Sequence, residues 1–388
     1  MNTLHIFDSV KKEKVEFKPI QERKVKIYVC GPTVYDDSHL GHARSAIAFD
    51  LLHRVLKAND YEVTMTKNFT DIDDKIIKKM YETKKTLEDI TNQYINAYKA
   101  DMKALNILDN TIEPKATENL EVMKEMISNL ISKDVAYKTS DSVYFDTSKD
   151  NLYGTLSHKS NDENSQARVE ENQEKRNSAD FALWKFEKAN DVSFDAPFGK
   201  GRPGWHIECS AMIEKHLAYK DSPYQIDIHA GGADLLSSKK RLDKIYRLKK
   251  RVYGVEDSSV NKKFKEDILN ALNDDINTSI ALSVIDEMIN SANDKLDSNP
   301  KDKNLKKELI SNINFIEEVL GIGGNDAYAY FQFGIDESTK EKIESLILKR
   351  NEAKKAKDFQ TADKLRDELS SMDISLMDTV NGTVWEKL

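Results

Sequence analysis

Hydrophobic and polar positions alternate from Lys24 to Cys30 (KVKIYVC), the two-residue period of a strand, until Gly31-Pro32 breaks the run. The pattern then lengthens to a helical period. Ala46, Phe49, Leu52 and Leu56 recur on one face of a helix predicted from about His42 to Asp60. A second strand, YEVTMTKNF, follows directly. Strand, turn, helix and strand make a βαβ unit, so a parallel sheet is expected at the core of the N-terminal half.

From about residue 115 to 200 the texture changes. Charged helices give way to a short strand, Ser142 to Thr147, and then to the polar stretch KSNDENSQARVEENQEK, read as a loop. This region reads as an insertion between two halves of a sheet domain. From Leu235 to Val252 the chain is helical and strongly basic. Leu242, Ile245, Leu248 and Val252 share one face, and eight Lys and Arg residues between Lys239 and Arg251 fill the rest. Beyond Ser258 almost every segment reads as amphipathic helix, with Gly321 to Gly324 as the clear break.

Composition narrows the function classes. The 388 residues suffice for two or three domains, and 59 basic against 67 acidic side chains leave a net charge of −8. Such a balance argues against unselective coating of nucleic acid, but leaves room for a local basic face that grips one RNA. Two cysteines exclude a disulfide-stapled scaffold. The N-terminus lacks a signal-peptide pattern, and no apolar run approaches the ~18 residues of a membrane span. A cytoplasmic protein with reduced thiols and no membrane association is expected.

The chemistry concentrates in CGPTVYDDSHLGHAR, Cys30 to Arg44, between a strand end and the first turn of a helix. Free backbone N–H groups and the helix dipole attract phosphate there. Gly31 and Gly41 allow close approach of a ligand, and His39 and His42, three apart, can face the same phosphate. Read singly, a histidine pair is also an ordinary helix-start feature, and Cys30 and Cys209 are also two free thiols far apart in the chain.

The segment resembles the first signature of cysteinyl-tRNA synthetases, with His39-Leu40-Gly41-His42 in the place of the histidine motif of the Rossmann class. Asn68 to Ile76, Gly201 to Met212, Asp227 to Leu235, Leu272 to Leu282, Arg350 to Leu369 and Gly382 to Trp385 match the same family. The resemblance implies an α/β Rossmann-type catalytic domain with an insertion, followed by an all-α C-terminal domain. The implied organisation is a first catalytic half over 1–115, an inserted subdomain over 116–200 and a second catalytic half over 201–236. A basic linking helix over 237–258 and a helical tRNA-binding domain over 259–388 complete it. By resemblance, Gly31, Thr33, His39, Gly41 and His42 bind ATP, with His39 and His42 catalytic. Thr70, Trp205 and His229 line the cysteine pocket, and Cys30 and Cys209 are two ligands of a zinc ion that binds the substrate thiolate. Magnesium accompanies ATP, and the partners are tRNA(Cys), L-cysteine and ATP, acting on a monomer.

The chain also departs from the family. After Leu235 the proline-histidine-histidine-glutamate-asparagine-glutamate segment, which carries the other two zinc ligands, has no counterpart, nor has the Lys-Met-Ser-Lys-Ser loop that follows it. The run Ser237 to Lys240 is not a substitute, because the helical pattern continues through it. A zinc site with two protein ligands and an ATP site without its loop lysine place the activity of this chain in question. Two rival readings therefore stand beside charging of tRNA: a catalytically inactive tRNA-binding remnant, and a ligase joining cysteine to an amino sugar. The helical C-terminal extension speaks against the second.

Overall fold

The computed structural model describes residues 3–155, 174–188, 191–219, 225–230, 239–332, 335–372, 374–379 and 382–387. Most of the polar stretch, the run Ser237–Ser238 and the junction at Leu235 and Leu236 lie outside the described residues. The chain divides into two units. One comprises Met1–Leu236 with Leu272–Asn277, and the other Ser237–Ala271 with Thr278–Leu388.

The first unit opens with an antiparallel hairpin, β1 (His5–Asp8) and β2 (Glu13–Glu16). The predicted βαβ unit follows as β3 (Lys24–Val29), α1 (Leu40–Ala58) and β4 (Glu62–Lys67). β3 pairs in parallel with β4 and, on its other edge, with β9 (Ile228–Ala230), which gives the order β4-β3-β9. Val25, Ile27, Tyr28 and Val29 are all buried, as expected for a central parallel strand covered on both faces. The helices α2 (Asp74–Thr83) and α3 (Leu87–Ala104) pack together, both started by side-chain caps from Asp73 and Thr86.

The insertion has a core of its own. Helix α4 (Leu120–Ser132) leads into an antiparallel sheet of β5 (Ala136–Lys138), β6 (Ser142–Phe145), β7 (Phe181–Phe186) and β8 (Gly201–Pro203). Trp184 is fully buried in it, and its indole N–H donates to the Gly199 carbonyl at 3.1 Å. β8 runs straight into α5 (Trp205–His216), so the inserted sheet directly sets the helix that carries Cys209.

Residues 272–277 belong to the first unit, a return that the sequence pattern does not reveal. Asn273 and Asn59 exchange side-chain hydrogen bonds at 2.9 and 3.1 Å, and Asp275 accepts from the Phe7 N–H at 2.9 Å.

The second unit contains α6 (Lys239–Arg251), α7 (Lys262–Asn273, whose last two residues belong to the first unit), α8 (Thr278–Ser298), α9 (Lys303–Leu320), the short α10 (Ala327–Tyr330), α11 (Glu337–Lys355) and α12 (Phe359–Ser371). Ile245, Tyr246 and Leu248 of α6 are buried, as is Val252 just beyond its end, while Leu242 lies among residues whose side chains are not described. Much of the basic face is occupied within the unit. Lys249 donates to the carbonyls of Gly323, Gly324 and Asn325, Arg251 to Asn293 and Asp297, and Lys244 and Lys250 pair with Asp286 and Glu386. One expectation needs correction. The unit is helical but not all-α, because it closes with an antiparallel hairpin of β10 (Ile374–Thr379) and β11 (Gly382–Lys387). Ile374 and Trp385 of the hairpin are buried with Ile343, Leu346 and Leu369 of α11 and α12.

Candidate active site

The site is built where β3 ends. Gly31 follows Cys30, and its N–H donates to the Asn68 side-chain oxygen at 2.8 Å. A Cβ on Gly31 would lie 1.5 Å from the Asn68 carbonyl oxygen, so only glycine permits this approach of the two strand ends. The loops then pair. The Thr70 N–H donates to the Pro32 carbonyl at 3.1 Å and the Val34 N–H to the Thr70 carbonyl at 3.2 Å, with Thr33 opposite Thr70. The two motifs around Gly31 and Thr70 are thereby held as one rigid layer.

His39 is the N-cap of α1, and the helix begins at Leu40, two residues before the predicted start. Its Nδ1 accepts from the Gly41 N–H at 3.1 Å, and the His39 N–H donates to His42 Nδ1 at 3.2 Å. The rings stack at 3.9 Å between centroids. Because both Nδ1 atoms accept, each neutral ring carries its proton on Nε2. Burial, then the neighbouring His39 and Lys67, push the His42 pKa down and keep it neutral. Two N–H donors thus stand at a helix N-terminus whose dipole favours anions.

Cys30 Sγ lies 3.4 Å from Cys209 Sγ and 3.5 Å from His229 Nε2. The two sulfurs are too far apart for a disulfide, which needs about 2.05 Å. They suit two corners of a tetrahedral zinc site, whose sulfur–sulfur edge at about 2.3 Å per bond is roughly 3.7 Å. The Cys209 hydrogen bond, aided by His229, holds the Cys30 thiol down to about 5 despite burial. The same hydrogen bond and burial drive Cys209 upward, so the pair shares one proton. Among the described residues, no group of three or more His, Cys, Asp or Glu side chains is arranged to hold a metal ion. The sulfur pair therefore fits half of a tetrahedral donor set.

Thr70 is buried, and its hydroxyl donates to Glu208 Oε2 at 2.6 Å. Glu208 Oε1 is buried with no hydrogen-bond partner among the described residues, and burial pushes this carboxyl up to about 8. Sequence reading gave Glu208 no role. Its signal was the position beside Cys209, on the inner face of a helix that the pattern did not orient. Asp71, next to Thr70, accepts from the Thr117 N–H and hydroxyl at 2.9 and 2.5 Å. His229 meets Tyr28 edge-on with centroids 5.5 Å apart. Trp205 is 55% exposed at the start of α5 and packs against His206, so this structure does not bring it into the buried cluster.

Comparison with known proteins agrees with this architecture. Residues 16–241 match the model of the class I (C) tRNA synthetase catalytic domain, and residues 268–323 match the DALR domain. The chain is 81% identical to the cysteine--tRNA ligase of Aliarcobacter butzleri and 51% identical to that of Nitratiruptor, over 100% and 99% of this chain and 100% of each relative. The first alignment spans 467 positions against 388 residues here, so at least 79 positions of it have no residue in this chain. The fold resembles Mycobacterium tuberculosis methionyl-tRNA synthetase at a TM-score of 0.51 and 10% identity, covering 77% of this chain and 92% of that one. No helix among the described residues is long and apolar enough to cross a membrane. The chain belongs to the cysteine--tRNA ligases, class I aminoacyl-tRNA synthetases with a Rossmann-like catalytic domain and a DALR domain.

Proposed function

We propose that this chain joins L-cysteine to tRNA(Cys) in the cytoplasm as a monomer, by way of a cysteinyl-adenylate. The observation that carries the reading is the sulfur pair, 3.4 Å apart, one residue before the loop that leads to the His39–His42 cap. In the first step the cysteine carboxylate attacks the α-phosphorus of ATP, brought with magnesium, and pyrophosphate leaves. In the second a ribose hydroxyl of the terminal tRNA nucleotide attacks the acyl carbon and AMP leaves.

The residues contribute chiefly by positioning and electrostatics. His39 and His42 offer their Nε2 protons to the phosphates, while the backbone at Gly31, Thr33 and Gly41 gives the nucleotide close approach. Thr70 and His229 line the amino-acid side, and Trp205 would close over it from the start of α5. Cys30 and Cys209 would hold zinc, which when bound selects a thiol over a hydroxyl by forming a metal–sulfur bond. Such selection reaches discrimination against serine that cavity size alone does not. The test is the metal content of purified protein: about one zinc per chain is expected, and Cys30→Ser should lose it. A metal-free, fully folded wild-type chain would refute the zinc assignment.

The shortfall of at least 79 aligned positions favours a second reading, a family member that binds tRNA without forming adenylate. Steeply salt-dependent tRNA binding together with no cysteine-dependent pyrophosphate exchange would select it.

A further inference from the structure

A cavity of about 300 Å³ lies between α1, β4, α3 and the 107–113 segment, with neither sulfur of the Cys30–Cys209 pair and neither ring of the histidine cap in its wall. Three of its wall residues are buried polar groups: Asp50, and Lys67 and His53, the last two each 7% exposed. Neither the Lys67 nor the His53 side chain has a hydrogen-bond partner among the described residues. The Lys67 ammonium stands 5.4 Å from the centroid of the Tyr98 ring, a cation–π contact that leaves its hydrogen-bond donors unused. A cation and an imidazole in the wall of a mainly apolar cavity are the kind of convergent polar groups that fix the orientation of a bound ligand.

The surrounding charges narrow what that ligand is. Asp50 is engaged by the Arg54 side chain at 2.7 Å and by the Leu108 N–H at 2.9 Å. Glu113 is engaged by Lys99 at 2.5 Å and by the Asn110 side chain at 2.9 Å. Counting Arg54 with Lys67, Lys99 and Lys103 against Asp50, Asp109 and Glu113 leaves one net positive charge around the cavity. One excess charge suits a monoanion. A phosphate monoester, close to doubly charged at neutral pH, would meet Glu113 and Asp109 as repulsive neighbours. The rest of the wall is apolar, with Phe49, Met65, Met102 and Ile107.

We propose that this cavity binds a small organic monoanion, a carboxylate with an apolar body. Its carboxylate accepts from Lys67 and His53, and its body packs on Met65 and Met102. The volume lies at the small end of ligand pockets, which suits a body of about six carbons. Burial pushes His53 down to about 4 and Lys67 down to about 8, so near pH 7 the imidazole is neutral and most Lys67 remains charged.

The test is titration calorimetry of the full chain at pH 7 with hexanoate, with hexanamide as its neutral counterpart and inorganic phosphate as the more highly charged probe. Saturable one-to-one binding of hexanoate is expected, with hexanamide and phosphate each about tenfold weaker or worse. Lys67→Met should weaken hexanoate by about tenfold or more while preserving the fold, since it removes a buried charge and keeps the stem. Met102→Trp, which fills the cavity from α3 and leaves Lys67 in place, should abolish binding independently. Equal affinity for hexanoate and hexanamide overturns the proposal, as does binding that survives both substitutions or no saturation by hexanoate at ~10 mM. The assay requires no charging of tRNA, so its failure is separate from failure of the ligase reading.

Discussion

Gly31→Ala probes the joint on which the candidate site's layer rests. The added Cβ would sit 1.5 Å from the Asn68 carbonyl oxygen and 2.6 Å from its carbon, both backbone atoms. Ordinary contact needs about 3.4 Å, so the two strand ends must part by roughly 2 Å. Three hydrogen bonds cross this joint: Gly31 N–H to Asn68 Oδ1, Thr70 N–H to the Pro32 carbonyl, and Val34 N–H to the Thr70 carbonyl. At about 0.5–1.5 kcal/mol each, their loss destabilises the layer by about 1.5–4.5 kcal/mol. The alanine restricts the unfolded chain and returns about 0.4–1 kcal/mol. The net effect is therefore about 1–4 kcal/mol. Amide hydrogen exchange followed by mass spectrometry reads it locally. Peptides spanning β3 and β4 should exchange roughly 5- to 1,000-fold faster, while α11 and α12 stay unchanged. The Cys30–Cys209 pair should also loosen, seen as slower alkylation of Cys30 near pH 6. An unchanged exchange profile would refute the claim that the layer depends on this contact.

Other predictions follow from single residues. His53 is held neutral by burial, its pKa pushed down to about 4 from an ordinary 6.5. The unfolded chain then binds a proton that the folded chain refuses, so stability falls as pH drops from 6.5 to 4, by at most roughly 3 kcal/mol. His53→Gln should flatten that acid limb in urea titrations at pH 4.5 and 7, and an identical slope would contradict it. Lys249→Ala removes the donor to three successive carbonyls after α9, at 2.7, 3.1 and 2.9 Å. It should lower the stability of the second unit by about 2 kcal/mol, with faster exchange in α6 and α9. If it changes only the salt dependence of tRNA binding, Lys249 is an RNA contact and not a cap. In metal-free protein, Cys30 should react with iodoacetamide at half-maximal rate near pH 5 and Cys209 hardly at all, and Cys209→Ala should move the Cys30 midpoint upward.

The parts of the fold that were legible in sequence are those fixed by local period. Lys24 to Lys67 alternates, breaks, turns helical and alternates again, and each change is set by neighbours a few residues apart. The Cys30–Cys209 encounter was legible only through resemblance, since no local rule joins residues so far apart. Glu208 was missed because helix α5 has no marked apolar face to say which side is inward. The C-terminal hairpin was missed for a related reason. Ile374 to Thr379 and Gly382 to Lys387 are short, mixed strands that gain their burial from α11 and α12, not from their own alternation. The return of Asn273 to Asn59 is a side-chain amide pair across most of the unit, and periodicity carries no trace of it.

The most direct test of the account is cysteine-dependent exchange of labelled pyrophosphate into ATP by the folded, zinc-supplemented chain. The account predicts exchange with L-cysteine, none with L-serine, and its loss in Cys30→Ser and His42→Ala. Tight tRNA binding with no exchange above background would contradict it and leave a tRNA-binding member of the family.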